Sequence, residues 1–213
     1  MSQDRLDERL DQEAAPAPAR AAATVILLRR GGRHAQGGLE VLLVRRSLES
    51  RFMPGIWVFP GGSVGAGDGT PPDGEAAHRA CAIRELSEEA GIVLGDDSEL
   101  HPWSRWITPE MVPVRFDTRF YVALAPAHSP PRPDGRETIE AGWFAPADAL
   151  VRGRAGELEL VFPTIRHLES LLPYSRSEEV IAAARGRVVE PILPRVVGEG
   201  DRRRVVLPGD PGY

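Results

Sequence analysis

Cysteine is nearly missing from this chain of 213 residues: Cys81 stands alone. An internal disulfide is excluded, and a reducing, cytoplasmic location is the expectation. Runs of apolar residues long enough to span a bilayer are also missing. Residues 1–13 are charged and lack the apolar stretch of a secretory signal. The five histidines (His34, His78, His101, His128 and His167) are scattered without the spacing of a zinc site. No internal repeat is present. Nor is there an excess of one charge: 26 basic residues face 31 acidic ones, a net charge of −5. Nucleic acid and membrane therefore have no general electrostatic claim as partners, although a local basic groove remains possible. What is present is ordinary for a globular protein, with 42% hydrophobic and 27% charged residues. The length suits one domain with a full core plus extensions.

Residues 1–20 read as a disordered arm, charged and then rich in alanine and proline. The run Thr24-Val25-Ile26-Leu27-Leu28 predicts a strand buried on both faces. A glycine-rich turn then leads to a second strand over 39–46, so the pair reads as a hairpin. Trp57-Val58-Phe59 is a short strand ended by Pro60-Gly61-Gly62, and residues 63–74 read as a loop. A helix follows to Ala90, stopped by Gly91. Further strands are expected over 118–124 and 138–144, and helices at 146–150, 163–172 and 176–185. A terminal hairpin is expected between residues 188 and 207. Strands and helices mixed in this way give an α/β layered domain. The expected division is an arm over 1–20, a domain over 21–175, and an extension of helix and hairpin over 176–213.

The helix ending at Ala90 carries the chemistry. At about 100° per residue, Ala76, Ala80, Ile83, Leu86 and Ala90 share one arc, and Glu85, Glu88 and Glu89 lie opposite. Three carboxylates this close repel one another, and a hard divalent cation with oxygen ligands is the natural neutraliser. A solvated acidic face is the alternative.

Gly61-Gly62 with Arg84, Glu85, Leu86, Glu88, Glu89, Gly91 and Ile92 resembles the Nudix hydrolase signature. That pattern is a glycine, a glutamate six residues on, and after seven more residues Arg-Glu-apolar-x-Glu-Glu-x-Gly-apolar. The second half is met in full. Counting back from Arg84 puts Ala76 where the first glutamate belongs, with Glu75 one residue early and Gly69 six before it. Either the loop carries an extra residue or that glutamate is missing. The resemblance implies a mixed β-sheet sandwiched between helices, and Glu85, Glu88 and Glu89 as ligands of Mg²⁺ or Mn²⁺. By the same analogy Glu88, Glu85 and Arg84 are catalytic, Arg84 holding a neighbouring glutamate. Glu137 and Glu140 lie where some members place a further ligand or a general base, and Glu140 is the favoured of the two.

Upstream, Leu42-Leu43-Val44-Arg45-Arg46-Ser47, Arg51, Gly55 and Phe59-Pro60-Gly61-Gly62 resemble the motif that precedes the Nudix box in coenzyme A diphosphatases. Every spacing agrees, and Val44 in place of threonine is the one departure. The resemblance implies that Arg46 and Arg51 meet substrate phosphates, with Gly61 and Gly62 beside them; guanidinium groups suit phosphate. Residues 22–172 are also similar to a longer subgroup that includes a peroxisomal member, through Phe52-Met53-Pro54-Gly55 and Trp106-Ile107-Thr108-Pro109. No peroxisomal tripeptide closes Pro211-Gly212-Tyr213, so that location does not carry over. The implied substrate is coenzyme A or an acyl derivative. The alternatives are an ADP-ribose or NADH pyrophosphatase and a non-catalytic nucleotide-binding sensor. A small-molecule nucleotide is the expected partner, and homodimers are common in the family.

Overall fold

Eleven residues, Arg20–Arg30, form the strand β1 around which the sheet is laid. The computed structural model describes residues 17–31, 38–50, 53–95, 99–198 and 203–213. Most of the expected arm, the tip of the first hairpin, Arg51 and the tip of the terminal hairpin lie outside the described residues.

Along one edge, β1 pairs in parallel with β6 (Phe116–Leu124), from Arg20↔Phe116 to Leu28↔Leu124. The other edge serves two partners. The far end of β1 takes β2 (Leu39–Arg46), Leu28 opposite Val41, and the near end takes β4 (Gly61–Ser63), Ala23 opposite Gly62. The expected hairpin is therefore present, but it occupies only the last residues of β1. β2 also pairs with the two-residue strand β3 (Trp57–Val58) and with β7 (Thr138–Phe144). β5 (His101–Ile107) joins β6, and β8 (Pro191–Ile192) joins β5 in parallel. Two elements were not expected from sequence. Gly61–Ser63 is a strand, and β5, with Pro102 and two tryptophans, is another. Neither shows the apolar alternation that marks a strand in sequence.

Alternate residues of the central strands feed two cores. Ala23, Val25 and Leu27 of β1, Leu42 and Val44 of β2, and Tyr121 and Ala123 of β6 face α1 (Glu75–Ala90), where Cys81, Ala82, Leu86 and Ala90 meet them. Ile26 and Leu28, Val41 and Leu43, and Phe120 and Val122 face the other way. They pack under α2 (Pro146–Arg154), α3 (Phe162–Leu171) and α4 (Ser177–Ala184). Period-two side chains buried on both faces make a helix–sheet–helix sandwich. Val180, Ile181 and Ala184 of α4 share the second core with Leu168 and Leu171. Beyond them, β9 (Arg195–Val197) and β10 (Arg204–Val206) form the antiparallel terminal hairpin. Among the described residues no helix is long and apolar enough to cross a membrane.

One buried polar group makes the second core sensitive to acid. His167 is 2% exposed and lies stacked on Phe120, ring centres 4.0 Å apart. Its Nδ1 faces the Pro163 carbonyl at 2.6 Å, which can only accept, so Nδ1 carries the proton and Nε2 accepts from Ser104 Oγ at 2.6 Å. Burial holds the ring neutral, with a pKa pushed down to about 4. The unfolded ring takes a proton near pH 6.5 that the folded one refuses. Stability contributed by neutral His167 is thus complete above pH 6.5 and is lost as pH falls toward 4, by about 3 kcal/mol. Urea unfolding should weaken more steeply over that window in the wild type than in His167→Gln; parallel slopes would contradict it.

Candidate functional site

The helix α1 begins after Gly74 and ends where Gly91 turns left-handed at φ 65°, its N–H bonded to the Ser87 carbonyl. Its buried side is not the expected apolar arc. Ala76 is exposed, and Ala80 and Ile83 are half-buried; the buried residues are Ala77, His78, Cys81, Ala82, Glu85, Leu86, Glu89 and Ala90. Alanines spread around the helix give the apolar arc little contrast, and the backbone of Gly61–Ser63 decides the packing instead. A side chain at Gly62 would run into the Glu85 carboxylate, and one at Gly61 would strike Thr24 and the Ala23 carbonyl. Glycine is needed here for close approach. The result buries Glu85 and Glu89, one turn apart, and leaves Glu88 outside.

That burial changes the acids. Glu89 is 2% exposed and accepts one hydrogen bond from the Gly61 N–H at 2.9 Å. Burial pushes its carboxyl up to about 8; the Gly61 N–H opposes the shift, as does the charge of Arg46, while Glu85 and Glu137 add to it. Burial also raises Glu85, against the pull of Arg84. Arg84 Nη1 lies 2.8 Å from Glu85 Oε1 and 2.9 Å from Glu88 Oε2, so it bridges two of the three acids.

The other edge of Arg84 shows a residue that sequence reasoning missed. Its Nε and Nη2 each donate to Asp68, at 2.9 Å, a forked pair. Asp68 is buried on a short 3₁₀ turn, Ala66–Asp68, and takes the Gly65 N–H at 2.7 Å; the Arg84 fork holds its pKa low. Asp68 stands six residues after Gly62, the spacing the signature gives its first glutamate. The fifteen residues 69–83 then separate it from Arg84 in place of seven. Counting forward from Gly62 finds Asp68, whereas counting back from Arg84 lands on Ala76 and Glu75. Glu75 instead pairs at the surface with Arg79 and Arg119, at 2.9 and 2.7 Å.

From the sheet side, Glu140 of β7 is in an ion pair with Arg45 at 2.5 Å. Glu137, just before β7, is the acid whose charge reaches both Glu85 and Glu89. Arg46 donates to Ser50 Oγ at 2.9 Å, and its charge opposes the upward shift of Glu89; Arg51 lies outside the described residues. Among the described residues no three His, Cys, Asp or Glu side chains already converge as a metal cage. Glu85, Glu88 and Glu89 are the side chains that could close around a hard cation. Their oxygens are the right donors, and two of them are disfavoured as bare anions by their burial.

Comparison with known proteins bears on the family and the fold. A family profile described as the NUDIX domain matches residues 18–163. A putative nudix hydrolase 7 of Caenorhabditis elegans is 27% identical over 212 residues, covering 84% of this chain and 68% of that protein. The human acyl-coenzyme A diphosphatase NUDT19 is 23% identical over 273 residues, covering 83% and 72%. Among solved structures, a NUDIX hydrolase from Alicyclobacillus acidocaldarius superposes with a TM-score of 0.68 at 28% identity, covering 78% of this chain and 96% of that one.

The two roles read for Asp68 and Glu75 separate by experiment. Asp68→Ala removes the buried carboxylate that forks onto Arg84 and should lower unfolding free energy by about 2 kcal/mol or more. Glu75→Ala removes only exposed pairs and should cost less than about 1 kcal/mol. Equal costs in urea unfolding would contradict the assignment.

Proposed function

The chain belongs to the NUDIX family, and on that premise we propose that it hydrolyses the pyrophosphate of a nucleoside diphosphate linked to a second group, with coenzyme A or an acyl-coenzyme A as substrate. The observation that carries the reading is the burial of Glu85 and Glu89 against Gly61 and Gly62, with Glu88 beside them. Glu85, Glu88 and Glu89 would hold Mg²⁺ or Mn²⁺. Bound there, such an ion would offset substrate charge and make water a better nucleophile near neutral pH.

The chain's own residues account for the rest. Asp68 restrains Arg84, and Arg84 orients Glu85 and Glu88. The Gly61 N–H fixes one oxygen of Glu89. Arg46, whose charge acts on Glu89, is suited to grip a phosphate, and Arg51 is assigned the same task from its motif alone. A water oxygen bonds to one phosphorus, the bridging P–O bond breaks, and a carboxylate takes the water's proton. Glu137, whose charge acts on both Glu85 and Glu89, fits that task better than Glu140, which is engaged with Arg45. With coenzyme A the products are 4′-phosphopantetheine and adenosine 3′,5′-bisphosphate.

Two observations support coenzyme A over other nucleotides: the spacing of residues 42–62, and likeness to a protein named an acyl-coenzyme A diphosphatase. The three intact glutamates speak against a sensor, which has no need of them. A panel of coenzyme A, ADP-ribose and NADH tests the reading. With Mg²⁺ or Mn²⁺ the purified protein should cleave coenzyme A fastest, and a chelator should stop it. Glu88→Gln should lower kcat at least about a hundredfold, with the fold unharmed because Glu88 is exposed. Faster cleavage of ADP-ribose or NADH would move the substrate assignment; binding without turnover would favour the sensor. An undiminished Glu88→Gln would sink the carboxylate site.

A further inference from the structure

The approach to β7 is tied to the acidic helix in a way that the roles above do not use. A strap of residues 132–138 runs past the end of α1, and at Gly91 it passes so close that a Cβ there would lie 3.1 Å from Arg132. Two of the helix's final carbonyls, which lack partners within the helix, are taken by this strap. The Arg132 N–H donates to the Ala90 carbonyl at 2.7 Å, and the Thr138 hydroxyl donates to the Glu89 carbonyl at 2.6 Å. Thr138 is fully buried, so its hydroxyl has no recourse to water.

The residue before it, Glu137, has an exposed side chain on a backbone held at both ends. Its N–H is bonded to Asp134 Oδ1 at 3.0 Å, and its carbonyl accepts the Ser47 N–H at 2.8 Å. Asp134 also takes the N–H of Arg136 at 3.1 Å and of Thr138 at 2.8 Å, closing a tight turn through Gly135, whose φ is 76°. In the sheet Thr138 stands opposite Arg46, while Glu140 stands opposite Arg45, so the register skips at Ile139. Such a bulge re-aims side chains beside it.

We infer that Thr138 is a positioning residue: its hydroxyl bolts the strap to Glu89 and so fixes Glu137 and Arg46 relative to the three helix acids. This rests on the carboxylate site proposed above. A valine at 138 would keep the strand and the packing volume but lose the donor, leaving the Glu89 carbonyl unpaired. The strap would then shift against α1, and the acids would no longer be pre-set for a cation.

The test uses Mn²⁺ alone and the full chain. Free Mn²⁺ is followed by its electron paramagnetic resonance signal during titration of wild type, Thr138→Val, Thr138→Ser and Asp134→Ala, each well below its unfolding temperature. Thr138→Val should weaken Mn²⁺ binding about tenfold. Thr138→Ser, which keeps the hydroxyl, should restore it, and surface Asp134→Ala should weaken it in the same direction. In turnover at saturating Mn²⁺, kcat should fall in Thr138→Val and recover in Thr138→Ser. Wild-type Mn²⁺ binding in Thr138→Val, or equal loss in the valine and serine variants, overturns the inference. Should Thr138→Val not fold, wild-type binding in Asp134→Ala overturns it instead. Wild type that binds Mn²⁺ but cleaves no pyrophosphate overturns the proposed reaction and leaves Thr138 to be judged on Mn²⁺ binding; wild type that binds none overturns both.

Discussion

Two glutamates taken out of water one helical turn apart, with a glycine backbone pressed onto them, are the constraint from which the rest of the structure follows. Burying carboxylates is costly unless each finds hydrogen bonds or an opposite charge. Here the partners are few: one Gly61 N–H for Glu89, and Arg84 for Glu85. Glu89 is consequently held near pKa 8, so at neutral pH it favours its proton until a cation replaces it. A chain selected for stability alone would place glutamine or leucine there. Such a disfavoured pair is a sign of function, since local rules tend to be broken where chemistry is done.

The fold holds this pair from three directions. β1 is rigid because it is bonded along both edges, and β4 carries Gly61 and Gly62 from its near end to the helix. The loop after β4 supplies Asp68, which fixes Arg84 by a fork and so keeps a positive charge beside Glu85 and Glu88. The strap before β7 closes the last side, taking carbonyls of Glu89 and Ala90 that α1 leaves open. Each support reaches the site through backbone or a buried side chain, so the acids cannot relax toward water without disturbing the sheet or the helix end.

Much of this was legible in sequence, for definable reasons. The apolar runs of β1, β2 and β6, the stop at Gly91 and the helix start at Pro146 mark out the layers, because burial on both faces leaves continuous hydrophobic stretches. The likeness to the Nudix signature, with a shared family profile, stands on Arg84 to Ile92. The helix's buried face was misjudged, since it is set by a glycine strand that displays no side chain. Asp68 escapes the signature because fifteen residues, not seven, separate it from Arg84 and because it is an aspartate rather than a glutamate. Sequence favours Glu140 over Glu137, and the ion pair that engages Glu140 with Arg45 is not visible there. The hydrogen bonds that Thr138 donates and Asp134 accepts leave no trace in residue spacing at all.

Thermal unfolding of wild type and Glu89→Gln, with and without Mg²⁺ at neutral pH, tests the central claim most directly. If Glu89 is a buried acid waiting for a cation, Glu89→Gln should unfold at the same or a higher temperature than wild type in metal-free buffer, because glutamine keeps the acceptor for Gly61 without a carboxylate that must take up a proton to be buried. Added Mg²⁺ should then raise the unfolding temperature of wild type alone. Equal stabilisation of both proteins by Mg²⁺, or of neither, would contradict the account.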